Sequence, residues 1–388
     1  MTDSIVSDVD IAVLGGGMSG LALACELDQR NAQGGKAPRN CLVLEPRASY
    51  ERDKTWCYWR HQPGLFDRAI THSWHRWEVR NAGRSCISSS ALTPYARVDS
   101  AHYYELATAN LARSNTVGLQ MNVAAEAVQK SGNRVRVETT EGALLADRVI
   151  DTRPRPIPKG TLLQHFYGWE IETDKDVFDP TTVTLMDFSD GNSCGVHFYY
   201  VLPFSSRNAL VETTHFSLAL KSAEQYQAEL DRYLRHRFGL SHWRVKRLEQ
   251  GVLPMRKRRQ PNAVDSETGT LAFGLHSDTV KPSTGYCFPH AQEQAKSIAD
   301  WLELARGATP PRARSRVSTW FDGVFVSFLE HQASAAPEVF FNLFKQVPPE
   351  SLVAFLSDRA GFIDYARVVL ALPKWMMVRE AIRYVAQR

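Results

Sequence analysis

The 388-residue chain has no Cys-x-x-Cys pair, no internal repeat and no long tract of Lys or Arg. Its apolar runs all fall short of the roughly 18 residues that a membrane-spanning helix needs. Six cysteines stand apart at positions 25, 41, 57, 86, 194 and 287. That spacing argues against a zinc site or a disulfide frame and reads as reduced, mostly buried thiols of a cytosolic protein. No basic region leading into an apolar stretch opens the chain, so no secretory signal is expected. A net charge of +4 is too mild to point to nucleic acid by itself. The one basic cluster, Arg256-Lys257-Arg258-Arg259, reads as a solvated loop, with a phosphate or lipid-headgroup contact as the alternative. Any membrane relationship must then be peripheral.

What the chain does have is the composition of a folded protein, 44% hydrophobic and 23% charged, with length for two or three domains. The organising stretch is Asp10–Gly20. Ile11 to Leu14 is a short apolar run of the kind that forms a buried parallel strand, and Leu21 to Leu27 continues as a helix. Between them Gly15, Gly17 and Gly20 have the G-x-G-x-x-G spacing. The first glycine permits the tight turn, the second lets a pyrophosphate approach the backbone, and the third lets helix and strand pack closely. The helix N-terminus offers free N–H groups to an anion. A second apolar run, Cys41 to Leu44, ends in Glu45, placed to accept hydrogen bonds from an adenosine ribose. The pattern predicts a dinucleotide site.

The rest follows in order. Residues 1–8 are polar and predict a frayed end. Trp56, Tyr58, Trp59, Trp74 and Trp77 are either core or an aromatic wall for an apolar or cationic species. Tyr95–Ser100 leads into a helix over His102–Ala112, and Val135–Thr139 and Arg148–Asp151 look like strands. Pro154, Pro156 and Pro158 mark a crossover. Strand-like segments at 166–172, 183–187, 196–203 and 209–214 predict an antiparallel sheet walling a pocket, followed by a helix over Ser222–Phe238. Glu249–Met255 reads as a return toward the nucleotide-binding part. Leu271–Gly274 is a strand, Lys281–Tyr286 a turn, and Phe288–Leu302 a helix whose N-terminus faces an anion or an electron-rich ring. Residues 316–388 are helical and apolar in pulses, with basic residues interspersed. They read as a cap over the core or as a bilayer-docking surface. The expected fold class is α/β. Its nucleotide-binding domain covers 8–155, with an insert at about 55–95, and returns at 263–303. A β-rich substrate domain covers 156–262, and a helical region covers 304–388.

Several stretches, in this order, resemble the bacterial lycopene β-cyclases: Asp53-Lys54-Thr55-Trp56-Cys57-Tyr58-Trp59, Phe198–Pro203, Val211-Glu212-Thr213-Thr214, Glu249–Met255 and Lys281-Pro282-Ser283-Thr284-Gly285-Tyr286. The resemblance runs from about residue 8 to about residue 375. It implies an FAD-binding, Rossmann-type fold of the glutathione-reductase/hydroxylase kind. It also implies cyclisation of the ψ-ends of lycopene, through γ-carotene, to β-carotene at a membrane surface. The reaction has no net redox change, yet the family needs reduced FAD, with NAD(P)H as the usual electron source. No metal is required. Proton delivery to an alkene calls for a carboxylic acid kept protonated by burial.

The family's catalytic acid lies in a Glu-Thr-Thr motif, which makes Glu212 the candidate here, either as the proton donor or as support for the cation beside the flavin. Plant members carry a second adjacent acid where this chain has Thr213. Asp187, Glu249 and Asp278 are secondary candidates, and His197 and His215 flank the site in sequence. Gly15, Gly17, Gly20 and Glu45 carry over as cofactor-binding positions. Thr284 and Gly285 match the segment that approaches the flavin ring, and Arg97 matches a phosphate contact. Plant relatives read Tyr-Gly-Arg-Val-x-Arg there, and the second Arg is absent from Tyr95-Ala96-Arg97-Val98-Asp99-Ser100. The alternatives are a redox flavoenzyme of the same fold, either monooxygenase or isoprenoid reductase, and a non-catalytic carotenoid-binding protein.

Overall fold

The structure, a computed structural model, describes residues 5–34, 39–189, 195–257, 264–275, 277, 279–304 and 307–387. Cys194, Arg258, Arg259 and Asp278 lie outside the described residues. The chain opens with β1 (Ile5–Leu14), α1 (Met18–Ala32) and β2 (Cys41–Glu45). Then come β3 (Thr55–Trp59), β4 (Ile70–Trp74), β5 (Arg76–Asn81), β6 (Arg84–Ser89), β7 (Tyr95–Asp99) and α2 (Ser100–Leu111). β8 (Val117–Met121), β9 (Ala125–Ser131), β10 (Arg134–Thr139) and β11 (Gly142–Asp151) follow. Next are β12 (Leu163–Glu172), β13 (Thr182–Asp187), β14 (Val196–Pro203), β15 (Asn208–Ser217), α3 (Ala223–Phe238) and β16 (Arg244–Pro254). The chain ends in β17 (Thr270–Ala272), α4 (Phe288–Leu302), α5 (Arg316–His331), α6 (Ala336–Gln346), α7 (Pro349–Leu356), α8 (Phe362–Ala371) and α9 (Lys374–Ala386).

The first sheet has the order β8-β2-β1-β11-β10-β9, with β17 pairing to the end of β11. β8, β2, β1, β11 and β17 run parallel, while β10 and β9 fold back antiparallel. Ile11, Ala12, Val13 and Leu14 are fully buried because helices and strands cover both faces of this layer. Residues 5–8 depart from the frayed end expected of them. They extend β1, with Ile5, Ser7 and Asp8 in register with Ala143, Leu144 and Leu145 of β11. Backbone pairing, which polar side chains do not prevent, decides the outcome.

The second sheet has the order β16-β12-β15-β14-β13-β5-β6. It is antiparallel except where β13 meets β5. Glu249–Met255 is not a connection but the continuation of β16, hydrogen-bonded to β12. Tyr95–Asp99 likewise forms β7, the centre of a small sheet between β3 and β4. Alternation sets the two faces of the second sheet. On β15, Val211, Thr213 and His215 lie on one side, and Glu212, Thr214 and Phe216 face a cavity on the other. α3 covers the first side. It starts with a capping box between Ser222 and Gln225 and stops at Gly239, whose φ of 64° suits glycine. α5 to α9 roof the cavity side, and their Val326, Phe328, Phe340 and Phe341 share a core cluster with Phe198 and Leu210.

Candidate functional site

The glycine turn has the geometry its spacing predicts. Gly15 has a φ of 100°, and a Cβ there would lie 2.7 Å from Thr152 Oγ1. A Cβ on Gly20 would lie 2.0 Å from the Gly15 carbonyl oxygen. Gly17 faces open space, with nothing within 4 Å of its would-be Cβ. The first intrahelical bond runs from Leu21 N–H to Gly17 O, so the N–H groups of Met18, Ser19 and Gly20 have no helical acceptor. Glu45 ends β2 against this turn, and its Oε2 accepts the Gly16 N–H at 2.8 Å. Its Oε1 accepts Arg47 N–H and Nε–H at 2.9 and 2.8 Å. Burial opposes the Glu45 charge, but these bonds outweigh it and hold the carboxyl below its usual range.

A cavity of about 840 Å³ lies between the second sheet and the helical roof. Trp56, Cys57 and Trp59 of β3, Phe166, Phe198, Tyr200 and Phe216 of the sheet, and Phe321, Phe325 and Phe355 of the roof line it. The two readings of the tryptophans divide accordingly. Trp74 and Trp77 are buried core, and Trp56 and Trp59 also wall the cavity. The cavity brings Glu212, Glu249, Thr284 and Gly285 together. Gly285, with a φ of 74°, packs so tightly that a Cβ would meet Gln164 Oε1 at 2.6 Å. That oxygen is buried and has no hydrogen-bond partner among the described residues.

Glu212 is only 8% exposed and, among the described residues, makes no hydrogen bond or ion pair. Burial pushes its carboxyl well above the usual range, and the neighbouring Glu249 charge adds to this, against weaker opposition from Arg247 and Arg97. It is therefore an acid facing an apolar, aromatic-lined space. The other candidates are engaged elsewhere. Asp187 accepts the Tyr233 hydroxyl at 2.9 Å and pairs with Arg80 and Arg237. His197 and His215 point away from the cavity, toward Thr213 and Glu229. With Glu229 they form a group of metal-type ligands, but their rings stack in parallel, 4.1 Å apart at 2°. Parallel rings aim their lone pairs side by side rather than at one ion. Arg97 is buried on β7, with Nη1 donating to Thr71 and Nη2 to Asp99, and it lies over the Phe204 ring. None of these contacts is to the glycine turn or Glu45. The residues that sequence reasoning missed are Gly168, which borders Glu212, and the buried Lys281, Arg314 and Asp322 with the partly buried Asp358, which tie the 281–286 turn to the roof.

A parallel sheet entered through a glycine turn, joined to an antiparallel sheet that walls a cavity, is the α/β architecture of the FAD-dependent flavoproteins. Two solved structures share it. One is a geranylgeranyl bacteriochlorophyll reductase-like protein from Thermoplasma acidophilum, with TM-score 0.63 and 14% identity over 97% of this chain and 99% of that one. The other is a flavoprotein/dehydrogenase from Cytophaga hutchinsonii, with TM-score 0.62 and 13% identity over 98% and 99%. The chain belongs to the lycopene cyclase family, whose model, "Lycopene cyclase protein", matches residues 10–382. It is 24% identical to the lycopene beta-cyclase of Pseudescherichia vulneris over 94% of each chain. It is 27% identical to that of Paracoccus sp. (strain N81106 / MBIC 01143) over 68% of this chain and 74% of the relative.

Proposed function

We propose that the chain is a lycopene β-cyclase, closing the ψ-ends of lycopene through γ-carotene to β-carotene with no net redox change. The observation that carries this reading is the partnerless, buried Glu212 carboxyl facing an aromatic-lined cavity. In its acid form Glu212 delivers a proton to the terminal alkene. The positive charge that results is stabilised by the ring faces of Trp56, Trp59, Tyr200 and the roof phenylalanines. Loss of a different ring proton completes an isomerisation. Of the lining carboxylates Glu212, Glu249 and Asp322, only Glu212 has no hydrogen-bond partner among the described residues to compete for that proton. The dry walls keep water from trapping the cation.

FAD suits the residues present. The open space at Gly17, the free N–H groups of α1 and the acid at Glu45 form a dinucleotide cradle, and Thr284, Gly285 and the orphaned Gln164 oxygen border the cavity. Arg97 donates through Nη1 and Nη2 to Thr71 and Asp99, and its buried Nε has no partner among the described residues. Reduced FAD, with NAD(P)H as electron source, would supply an electron-rich ring that stabilises the developing cation.

A substrate insoluble in water also requires a membrane. Among the described residues no helix is long and apolar enough to cross one. α9 instead turns Trp375, Val378, Ile382 and Val385 outward at helical spacing, and α8 turns Phe362, Ile363 and Leu370 outward. Val369 and Val378 belong to this outer face and also line the cavity. We infer that this face rests on the bilayer and that lycopene enters beside it.

The deciding experiment is anaerobic incubation of the protein with FAD and lycopene liposomes, with and without dithionite, read by chromatography. Rings formed only with reduced flavin, without stoichiometric loss of reductant, establish the cyclase. Hydroxylated or hydrogenated products, with reductant consumed in proportion, would assign a redox flavoenzyme instead. Bound but unaltered lycopene would assign a binding protein.

A further inference from the structure

Three adjacent strands place Glu212, Gly168 and Glu249 in one row. Gly168 on β12 is in register with Glu212 of β15 on one side and with Glu249 of β16 on the other. Residues in such a row share a face of the sheet, and both glutamates line the cavity. Between them stands no side chain. A Cβ on Gly168 would lie 2.6 Å from Glu212 Cγ, so the Glu212 side chain lies across the position that any other residue would fill.

The two carboxylates have opposite surroundings. Glu249 Oε1 accepts the Thr55 N–H at 2.6 Å, and its Oε2 accepts the Thr55 hydroxyl and Arg247 Nη2, each at 2.7 Å. Glu212 accepts nothing. Two carboxylates sharing one dry site do not both ionise readily, and Glu249 is the one with donors and a cation beside it.

We propose that Glu249 is a positioning residue for Glu212, its ion-paired carboxylate acting across the gap at Gly168 to keep the proton on the acid that faces the cavity. The proposal rests on Glu212 being the acid of the cyclisation. The other groups around Glu212 are Tyr200 on β14, Cys57 on β3, Tyr95 and Arg97 on β7, and Tyr286 in the turn before α4. Burial pushes Cys57 up to about 12 and raises all three tyrosines, so all four are neutral at working pH. Lys54, Lys374 and Asp322 also line the cavity, and Asp322 is paired with Lys281 and Arg314. Of the charges acting directly on Glu212, Glu249 favours its acid form, and Arg247 and Arg97 favour the anion.

The test reads the Glu212 proton directly. The infrared carbonyl band of a protonated carboxyl is followed against pH in the whole protein and assigned by its loss in Glu212→Gln. Glu249→Gln is expected to lower the titration midpoint by about one unit or more, roughly tenfold in proton affinity. Arg247→Gln is expected to raise it. A midpoint unmoved in both variants overturns the proposal. If Glu249→Gln alone does not fold, Glu249→Gln is made together with Arg247→Gln, which removes the ion pair as a unit, and compared with Arg247→Gln: a midpoint lower in the double variant supports the proposal, and an equal or higher one defeats it. The readout needs no turnover. A chain that forms no rings but shows the shift loses only the proposed function. One that cyclises without the shift loses only this inference.

Discussion

The Lys281 ammonium lies 2.7 Å from the Asp358 carboxylate, with the lysine side chain only 1% exposed. The same ammonium is 2.9 Å from Asp322, and Arg314 pairs with both acids, so two cations and two anions close a buried square. The square joins the turn that carries Thr284 and Gly285 to α5 and to the end of α7. Removing one member of such a set leaves its partners buried and under-compensated. Lys281→Met is expected to destabilise the protein by about 3 kcal/mol in chemical denaturation.

Asp358 also sets an acid limit. Burial opposes its charge, but Lys281, Arg314 and His290 outweigh burial and hold its carboxyl well below the ordinary 3.8. For an acid whose folded value is depressed, the stabilisation is complete above the unfolded value and is lost as pH falls through the folded one. Stability should therefore drop as pH falls below about 4. Asp358→Asn, less stable at neutral pH, should show a shallower drop. Thermal unfolding of both proteins across that range reads the difference.

The glycine turn separates folding from binding. A methyl at Gly17 meets nothing, and the residue's φ of −74° is open to alanine. Gly17→Ala should fold normally yet bind FAD about tenfold more weakly, about 1.4 kcal/mol, because the methyl occupies the pyrophosphate's approach. Gly20→Ala should fail in folding, since its methyl would collide with the Gly15 carbonyl. Fluorescence titration with FAD, alongside melting curves, tells the two apart.

These differences follow how information is laid along the chain. Gly15, Gly17 and Gly20 answer local steric demands, so their spacing was readable, as were β12, β13, β14 and β15 from their β-branched and aromatic residues between turns, and α3. β5 and β6 were not: β5 meets its partner β13 from far along the sequence, and β6 pairs with β5 across the tight Ala82-Gly83 turn, a local signal that went unread. β9 is too polar to stand out, and β8 is a five-residue edge strand interrupted by Gly118. Residues 316–388 were legible as helices, but only packing decides that Met377 and Ala381 line the cavity while Trp375 and Ile382 face outward. Glu212 was found through its motif. A lone glycine such as Gly168 signals close approach without naming what approaches. The buried square draws its four members from separate segments, so no spacing rule reaches it.

Glu212 should cost stability while serving chemistry. Its folded carboxyl sits well above 4.5, so between the unfolded and folded values the native state holds a proton that the unfolded state has lost. Stability from this group therefore falls as pH rises through that window. Glu212→Gln removes the ionisable group. It should be more stable than the parent at neutral pH by about 1–2 kcal/mol and lose that part of the pH slope. Ring formation should fall by roughly 100-fold or more, the usual worth of a positioned general acid. Parallel melts and product assays check both, and a variant that is both unchanged in stability and fully active would remove Glu212 from the mechanism.

The outer face of α8 and α9 gives the last prediction. Trp375 is 88% exposed and Ile382 66%, seven residues apart on one side of α9. Water-facing apolar side chains at that spacing stabilise nothing in the protein alone, so their replacement should leave folding intact. In the acyl boundary each of the two contributes about 1.5–3 kcal/mol. Trp375→Ser with Ile382→Ser should therefore weaken vesicle binding by about 3 kcal/mol, roughly 100-fold, in sedimentation with neutral lipid. Lys374, Arg379 and Arg383 sit on the same helix, so anionic lipid should strengthen binding of both proteins and salt should weaken it. If the double variant sediments like the parent on neutral vesicles, the apolar stripe does not hold the protein to the bilayer. If it loses binding while retaining FAD and its melting temperature, the stripe is the contact and the cavity mouth at Val369 and Val378 opens toward the lipid.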